Sequence, residues 1–318
     1  MKTAIGGYFE LELPPARLPM HHAALKFQSA RAAFLSLLRA TKPTRVWMPY
    51  YICNSMLAPI KAAGVDIAFY SLDTQFGIAS EIELAATEIL MYVNYFGVCS
   101  EQVDQILQHY NPAQIVMDFS QAFYVEPKDC LATIYSPRKF FGLPDGGLLF
   151  TRADIKLPEK IDEGSEDRMA HLIKRLSGEP EDGYINYKNS EESLNDFEPK
   201  QMSRLTRRVM TSIDFDGVKA KRRANFDFLC DRLQEVNKIK FDTIMGVPLC
   251  YPLIFNDTAM KTELIRNRVF VATYWPDVST RVDVDSLEFD LAANLLAIPC
   301  DQRYSSSDLE IVLSLIKS

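Results

Sequence analysis

Residues 114–151 read QIVMDFSQAFYVEPKDCLATIYSPRKFFGLPDGGLLFT, three apolar runs that polar or glycine-rich residues cut short. The run at 114–118 ends on the carboxylate of Asp118, the run at 131–135 is followed by Ser136, and a third at 147–151 follows a Pro-Asp-Gly-Gly turn. Short apolar runs bounded by turn formers read as buried strands. The same rhythm extends upstream. Helical spacing at 27–40 and 52–63 alternates with strand-like runs at 45–48, 66–70 and 88–94, and a helix at 101–110 leads into the 114–118 strand. Strands separated by helices imply right-handed crossovers, so the expected fold is α/β, a mainly parallel sheet sandwiched by helices. Ligands collect at the carboxyl ends of strands in such sheets. Asn94, Asp118 and Ser136 stand at those ends.

Downstream the character changes. Between 155 and 203 acidic residues, Asn, Gly and Ser accumulate around one amphipathic helix at 168–176. This polar excursion is long enough to form a lid or to lie on a partner subunit. A long helix at 216–238 leads to strands at 248–254 and 269–271 and a closing helix at 307–316. The expected division is a large domain, 1–215, and a smaller C-terminal α+β domain, 216–318.

Bulk properties narrow the function. The net charge is −7, and the short basic run Lys219-Ala-Lys221-Arg-Arg223 reads as a solvated helix face, so the clustered cations that nucleic acid requires are missing. Six scattered cysteines without a CxxC pair give neither a zinc site nor a disulfide framework, and fit reduced thiols in a cytoplasm. No stretch approaches the ~20 apolar residues of a membrane span, and the N-terminus lacks an apolar signal core. Dinucleotide and P-loop glycine patterns, HExxH and GxSxG are all missing. The four histidines have no ligand spacing, so no metal is expected, and His21-His22 reads as an adjacent surface pair.

Two features carry chemistry. Lys139 lies just past a strand and before a glycine-rich turn. Partial desolvation there, with crowding by Arg138, would lower its pKa and free the amine; an exposed turn lysine is the plainer reading. Asp118 ends an apolar strand, where a carboxylate is costly to bury without a cation. Its plainer role is a helix N-cap, worth about 1 kcal/mol. Gln121, three residues on, can reach the same place.

Taken together, Asp118-x-x-Gln121, Ser136-x-x-Lys139, Gly142 and Gly146-Gly147 resemble the DegT/DnrJ/EryC/StrS-like sugar aminotransferases, a family of fold-type I pyridoxal phosphate enzymes. The likeness runs over most of the chain. Gly6-Gly-Tyr8 is similar to the family's opening segment, QSARAA at 28–33 to its SGTAA turn, VWMPYY at 46–51 to its VxxPSFTF, and VNYFG at 93–97 to its VHLYG. Leu296-Ala-Ile-Pro299 and Ser306-Ser-Asp308-Leu-Glu310 resemble its LPL…TEED. The resemblance implies pyridoxal 5′-phosphate bonded to Lys139, with Asp118 on its ring nitrogen and Gln121 and Asn94 beside the ring. Ser136 and the amides of Ala30 and Arg31 would meet the phosphate. Tyr51 or Tyr50 would stack on the ring, because Cys53 stands where the family has an aromatic.

The resemblance also implies a reaction. An amino group would pass from an amino-acid donor, glutamate in most of the family, to a nucleotide-linked keto-sugar for surface polysaccharide, in a cytoplasmic homodimer. The chain departs from the pattern at three more places. Ala30-Arg31 replaces Gly-Thr, Asn94 replaces His, and a partner-reaching Asn-x-Arg-Met segment is reduced to Gln201-Met202-Ser203. Two other readings therefore stay open: a dehydratase or lyase on the same cofactor, against which Lys139 counts, and a non-catalytic relative.

Overall fold

The structure, a computed structural model, describes residues 5–240, 246–254 and 259–317. Its frame is a seven-stranded sheet of β1 (Leu25–Phe27), β2 (Arg45–Pro49), β3 (Asp66–Tyr70), β4 (Glu88–Val93), β5 (Ile115–Asp118), β6 (Ala132–Tyr135) and β7 (Gly147–Thr151). The spatial order is β1-β7-β6-β5-β4-β2-β3. Neighbours from β3 across to β6 pair in parallel, and β7 and β1 close one edge antiparallel. Every residue of β4, β5 and β6 is buried, the reason these segments read as unbroken apolar runs rather than alternating ones. Register aligns Val93 with Asp118 and Asp118 with Ile134, so three adjacent strands end side by side.

The crossovers are α1 (Ala30–Thr41), α2 (Asn54–Ala62) and α3 (Ser100–His109). Ser29 starts α1: extended itself, it accepts the Ala32 N–H on its hydroxyl at 3.2 Å, and the helix buries Ala33, Phe34, Leu37 and Leu38. Phe27, expected inside this helix, instead ends β1 opposite Gly147. Gly147 makes that approach possible, since a Cβ there would lie 2.2–2.4 Å from the backbone of Ser29 and Ala30.

The polar excursion holds α4 (Ser165–Arg168), α5 (Ala170–Ser177) and α6 (Tyr184–Ser193). Sequence periodicity does not reveal α6, because it buries little more than Ser190 and has no apolar stripe. Its start is fixed locally: Glu179 and Asp182 form a capping box on the preceding turn, and Gly183 packs on the backbone of His171. The excursion is fastened to its own chain, by Arg39 to Glu198 at 2.6 Å and by Arg268 to Glu179 and Glu181 at 2.7 and 3.0 Å.

After α7 (Arg204–Met210) and α8 (Phe215–Leu233) come β8 (Tyr251–Ile254), α9 (Met260–Arg266), α10 (Leu287–Asn294), β9 (Leu295–Ile298) and α11 (Ser306–Lys317). β8 and β9 form an antiparallel pair whose faces serve different cores. Tyr251, Leu253, Leu296 and Ile298 pack with Phe226, Leu229 and Leu313, whereas Ile254, Leu295 and Ala297 join the main cluster. The strand expected at 269–271 is not formed; the partner of β8 is β9, and that region contributes a single bridge, Ala272 to Ala297. The basic run is not uniformly solvated either, because Arg222 is 2% exposed.

His21 is a further correction. Only His22 of the pair is exposed. The His21 Nε2–H donates to the Phe123 carbonyl at 2.7 Å, and its ring stacks on Tyr135 at 4.3 Å. Burial lowers its pKa below the ordinary 6.5, against the opposing effects of that hydrogen bond and of Glu126. The folded ring therefore refuses a proton that the unfolded chain accepts, and stability falls as pH drops below about 6.5. Thermal melts from pH 7.5 to 5 should show this decline, and His21→Gln, which keeps a donor but does not titrate, should flatten it. Equal slopes for both proteins would remove His21 as the acid-labile group.

Candidate active site

The aligned strand ends deliver the chemistry. Asn94 follows β4 and donates its backbone N–H to the Asp118 carbonyl at 3.1 Å; Asp118 ends β5; and Ser136 follows β6, opening the 3₁₀ turn Pro137–Lys139. The Lys139 N–H returns to the Ser136 carbonyl at 3.1 Å. The flanking Phe140 and Phe141 are buried and Lys139 is exposed, so the sequence reading of a desolvated lysine is corrected: the phenylalanines take the interior positions. The Lys139 Nζ stands 6.0 Å from the ring centre of Trp275, at the outer limit of a cation–π contact.

Asp118 is 5% exposed. Its Oδ1 accepts the Ser120 N–H at 2.8 Å, the capping role, and no ion pair reaches it among the described residues. Asn94 and Gln121 are fully enclosed. Their side-chain oxygens accept from Cys99 N–H at 2.9 Å and Phe96 N–H at 2.7 Å, holding the 95–97 turn, where Phe96 has φ 54°. Their amide nitrogens, Asn94 Nδ2 and Gln121 Nε2, have no partner among the described residues. Each such buried donor costs about 1–3 kcal/mol. A buried carboxylate without a cation and two donors without acceptors suit a ligand bearing a protonated ring nitrogen and an oxygen acceptor.

Ala30 and Arg31 open α1, three residues after the start that helical spacing suggested. The Arg31 guanidinium donates to Asn195 Oδ1 at 2.8 Å, and Arg138 pairs with Glu191 at the end of α6. Burial pulls the Arg31 pKa down; Glu191 opposes this and Arg138 adds to it, so both arginines and the Glu191 carboxylate share one field. Ser136 is half-buried, with no hydrogen bond to its hydroxyl among the described residues. The excursion reaches the lysine turn through Leu172 as well, whose methyl lies 3.5 Å from where a Cβ of Gly142 would be.

The aromatic beside the amine is Trp275, not Tyr51. Tyr51 is fully buried and donates its hydroxyl to the Tyr274 carbonyl, a bond that would be orphaned if the ring swung out to stack on a ligand. Its ring centre lies 5.0 Å from that of Trp275. The 274–281 segment is clamped on the 50–54 turn: Arg281 donates to the Tyr50 carbonyl at 3.1 Å and to Asn54 Oδ1 at 2.7 Å, while Asn54 N–H donates to Asp277 at 2.7 Å. Cys53 lies in this turn with its sulfur 2.9 Å from the Ser55 hydroxyl. Nothing local in the sequence links residue 275 to residue 139. A cavity of about 760 Å³ lies elsewhere, between 159–168 and 193–200, and none of the candidate site residues lines it.

An exposed primary amine beside an aromatic face, with a buried carboxylate on the neighbouring strand, can bond a carbonyl carbon and relay protons. No known family model and no curated protein matches the sequence. Solved structures do match. The sugar aminotransferase CalS13 from Micromonospora echinospora is 15% identical, with 92% of this chain and 86% of that one covered and a TM-score of 0.58. A DegT DnrJ EryC1 StrS aminotransferase from Brucella abortus is 13% identical, covering 92% and 85%, with a TM-score of 0.58. The putative sugar aminotransferase Spr1654 from Streptococcus pneumoniae, in its PMP form, is 13% identical over 92% and 84%, with a TM-score of 0.64. The chain thus has the α/β fold of the DegT/DnrJ/EryC1/StrS-type sugar aminotransferases, as its motifs led us to expect.

Proposed function

We propose that this chain is a pyridoxal 5′-phosphate-dependent aminotransferase that moves an amino group from an amino acid, glutamate by family analogy, to a nucleotide-linked keto-sugar in surface polysaccharide biosynthesis. One observation carries the reading: Asp118, buried without a cation, ends the strand next to the lysine turn, and the unpartnered amides of Asn94 and Gln121 belong to the same strand ends. The likeness in fold to sugar aminotransferases supports it.

When bound, pyridoxal phosphate supplies an electron sink for the bonds of an amino acid's α-carbon. The Asp118 carboxylate would hold a proton on the ring nitrogen, and the Asn94 and Gln121 amides would donate to ring oxygen. Ser136, the first-turn amides at Ala30 and Arg31, and the Arg31 guanidinium would bind the phosphate at a helix N-terminus. Lys139 Nζ would anchor the cofactor and, once released, carry the proton between substrate and cofactor carbons. Trp275 would stand on one side of the cofactor, beside Lys139.

A second reading, a non-catalytic relative, draws on one observation: Asn195 and Glu191 already engage Arg31 and Arg138. Titration with pyridoxal phosphate separates the two. The purified chain should turn yellow, and borohydride should bleach the colour and fix the added mass on the Lys139 peptide. A colourless protein at saturating cofactor would rule the enzyme reading out.

We place the protein in the cytoplasm, in keeping with six free thiols, and divide it at 215/216, in keeping with the second apolar cluster. We also take the working form to be a homodimer. Tyr8 and Phe9 are 100% and 99% exposed, and Leu176 and Ile185 of the excursion are 90% and 71% exposed, side chains that a partner subunit would cover. Light scattering should give twice the 36.2 kDa chain mass; a monomer at micromolar concentration would contradict this.

A further inference from the structure

Arg222, read from the sequence as part of a solvated basic run, is 2% exposed and makes no ion pair among the described residues. Asp301 acts on it only through space. A buried guanidinium with no carboxylate in hydrogen-bonding reach is expensive unless its donors are met by other oxygens. Here they are. Nη2 donates to the Phe140 carbonyl at 3.2 Å, Nη1 to the Leu249 carbonyl at 3.1 Å and the Pro248 carbonyl at 3.4 Å, and Nε to Gln302 Oε1 at 2.8 Å. The guanidinium carbon lies 4.6 Å from the centre of the Phe140 ring. Gln302 Nε2 donates to the same Phe140 carbonyl at 2.9 Å.

The partners are not scattered. Phe140 is the residue after Lys139. Leu249 donates its own N–H to the Phe96 carbonyl at 2.7 Å, and the Phe96 N–H donates to Gln121 Oε1 at 2.7 Å. A continuous hydrogen-bonded path therefore runs from the lysine turn through Arg222 to the amide of Gln121. Its central side chains, Arg222 and Gln302, belong to α8 and to the loop before α11, outside the seven-stranded sheet.

We propose that Arg222, with Gln302, is a positioning residue: a brace that sets the Lys139 amine and the Gln121 amide at a fixed separation. The inference rests on the cofactor reading above. It acts through backbone carbonyls, so it touches neither substrate nor cofactor. Its position in the C-terminal part lets any shift of α8 reach the lysine turn.

The test uses the full chain and three variants, Gln302→Ala, Arg222→Lys and Arg222→Gln. Pyridoxal phosphate titrations read affinity, and the pH midpoint of the visible band reads the setting of Lys139. Gln302→Ala removes two hydrogen bonds, the one donated to the Phe140 carbonyl and the one accepted from Arg222 Nε, and should weaken cofactor uptake at least about fivefold in a chain that still melts cooperatively. Arg222→Gln should weaken it more than about tenfold and move the pH midpoint, and Arg222→Lys should recover part of both. Should Arg222→Gln fail to fold, Gln302→Ala decides. Wild-type affinity and midpoint in folded Gln302→Ala and Arg222→Lys would overturn the brace. A wild-type chain that takes up no cofactor instead removes the cofactor reading. The brace is then read by competitive acetylation of Lys139 against exposed Lys219: a changed ratio in Gln302→Ala supports it, and an unchanged ratio overturns it.

Discussion

Lys139→Ala should stay colourless with pyridoxal phosphate and lose at least about 10⁴ in turnover, the upper range for removing a positioned acid–base group and about 5.5 kcal/mol of barrier. The fold should not suffer. Lys139 is exposed, and its neighbour among the described residues is the face of Trp275 at 6.0 Å, so truncation belongs with surface substitutions that change stability by about 0.5 kcal/mol or less. Loss of colour with an unchanged melting curve in the absence of cofactor isolates chemistry from stability. Turnover that survives in a folded Lys139→Ala would remove this lysine from the mechanism.

Asp118→Asn should separate stability from activity with opposite signs. The amide oxygen can still accept the Ser120 N–H, so the local turn is kept, while the buried charge without a cation disappears. Relief of that desolvation should raise the stability of the cofactor-free chain, by about 1 kcal/mol or more. The neutral amide cannot hold the ring nitrogen protonated, and turnover should fall by about 10²–10⁴ while the colour persists. Melting curves without cofactor, with single-turnover rates on glutamate, check both halves. If Asp118→Asn melts lower and works normally, the carboxylate is a cap and nothing more.

The same particulars show how far the sequence could be read. The ends of β4, β5 and β6 were legible because fully buried parallel strands leave unbroken apolar runs closed by polar residues, and the partly buried strands read at 45–48, 66–70 and 147–151 were legible because turn formers bound them. Asp118, Gln121, Ser136 and Lys139 were legible for the same reason: each follows directly from where a strand ends. Helix α6 was not, because its residues carry no apolar period and the ion pair that holds it, Arg138 to Glu191, comes from a distant part of the chain. His21 and Arg222 misled for a related reason, since polar residues are usually outside unless a distant carbonyl waits for them.

The order of apolar runs and the chemistry at their ends, then, came from the sequence alone, because local periodicity and strand termination are short-range properties. Tertiary structure decided which polar groups were left without partners, which ring stands beside Lys139, and which buried cation braces its turn. Those depend on residues such as 118, 222 and 275 meeting across the fold, and no spacing along the chain encodes that meeting.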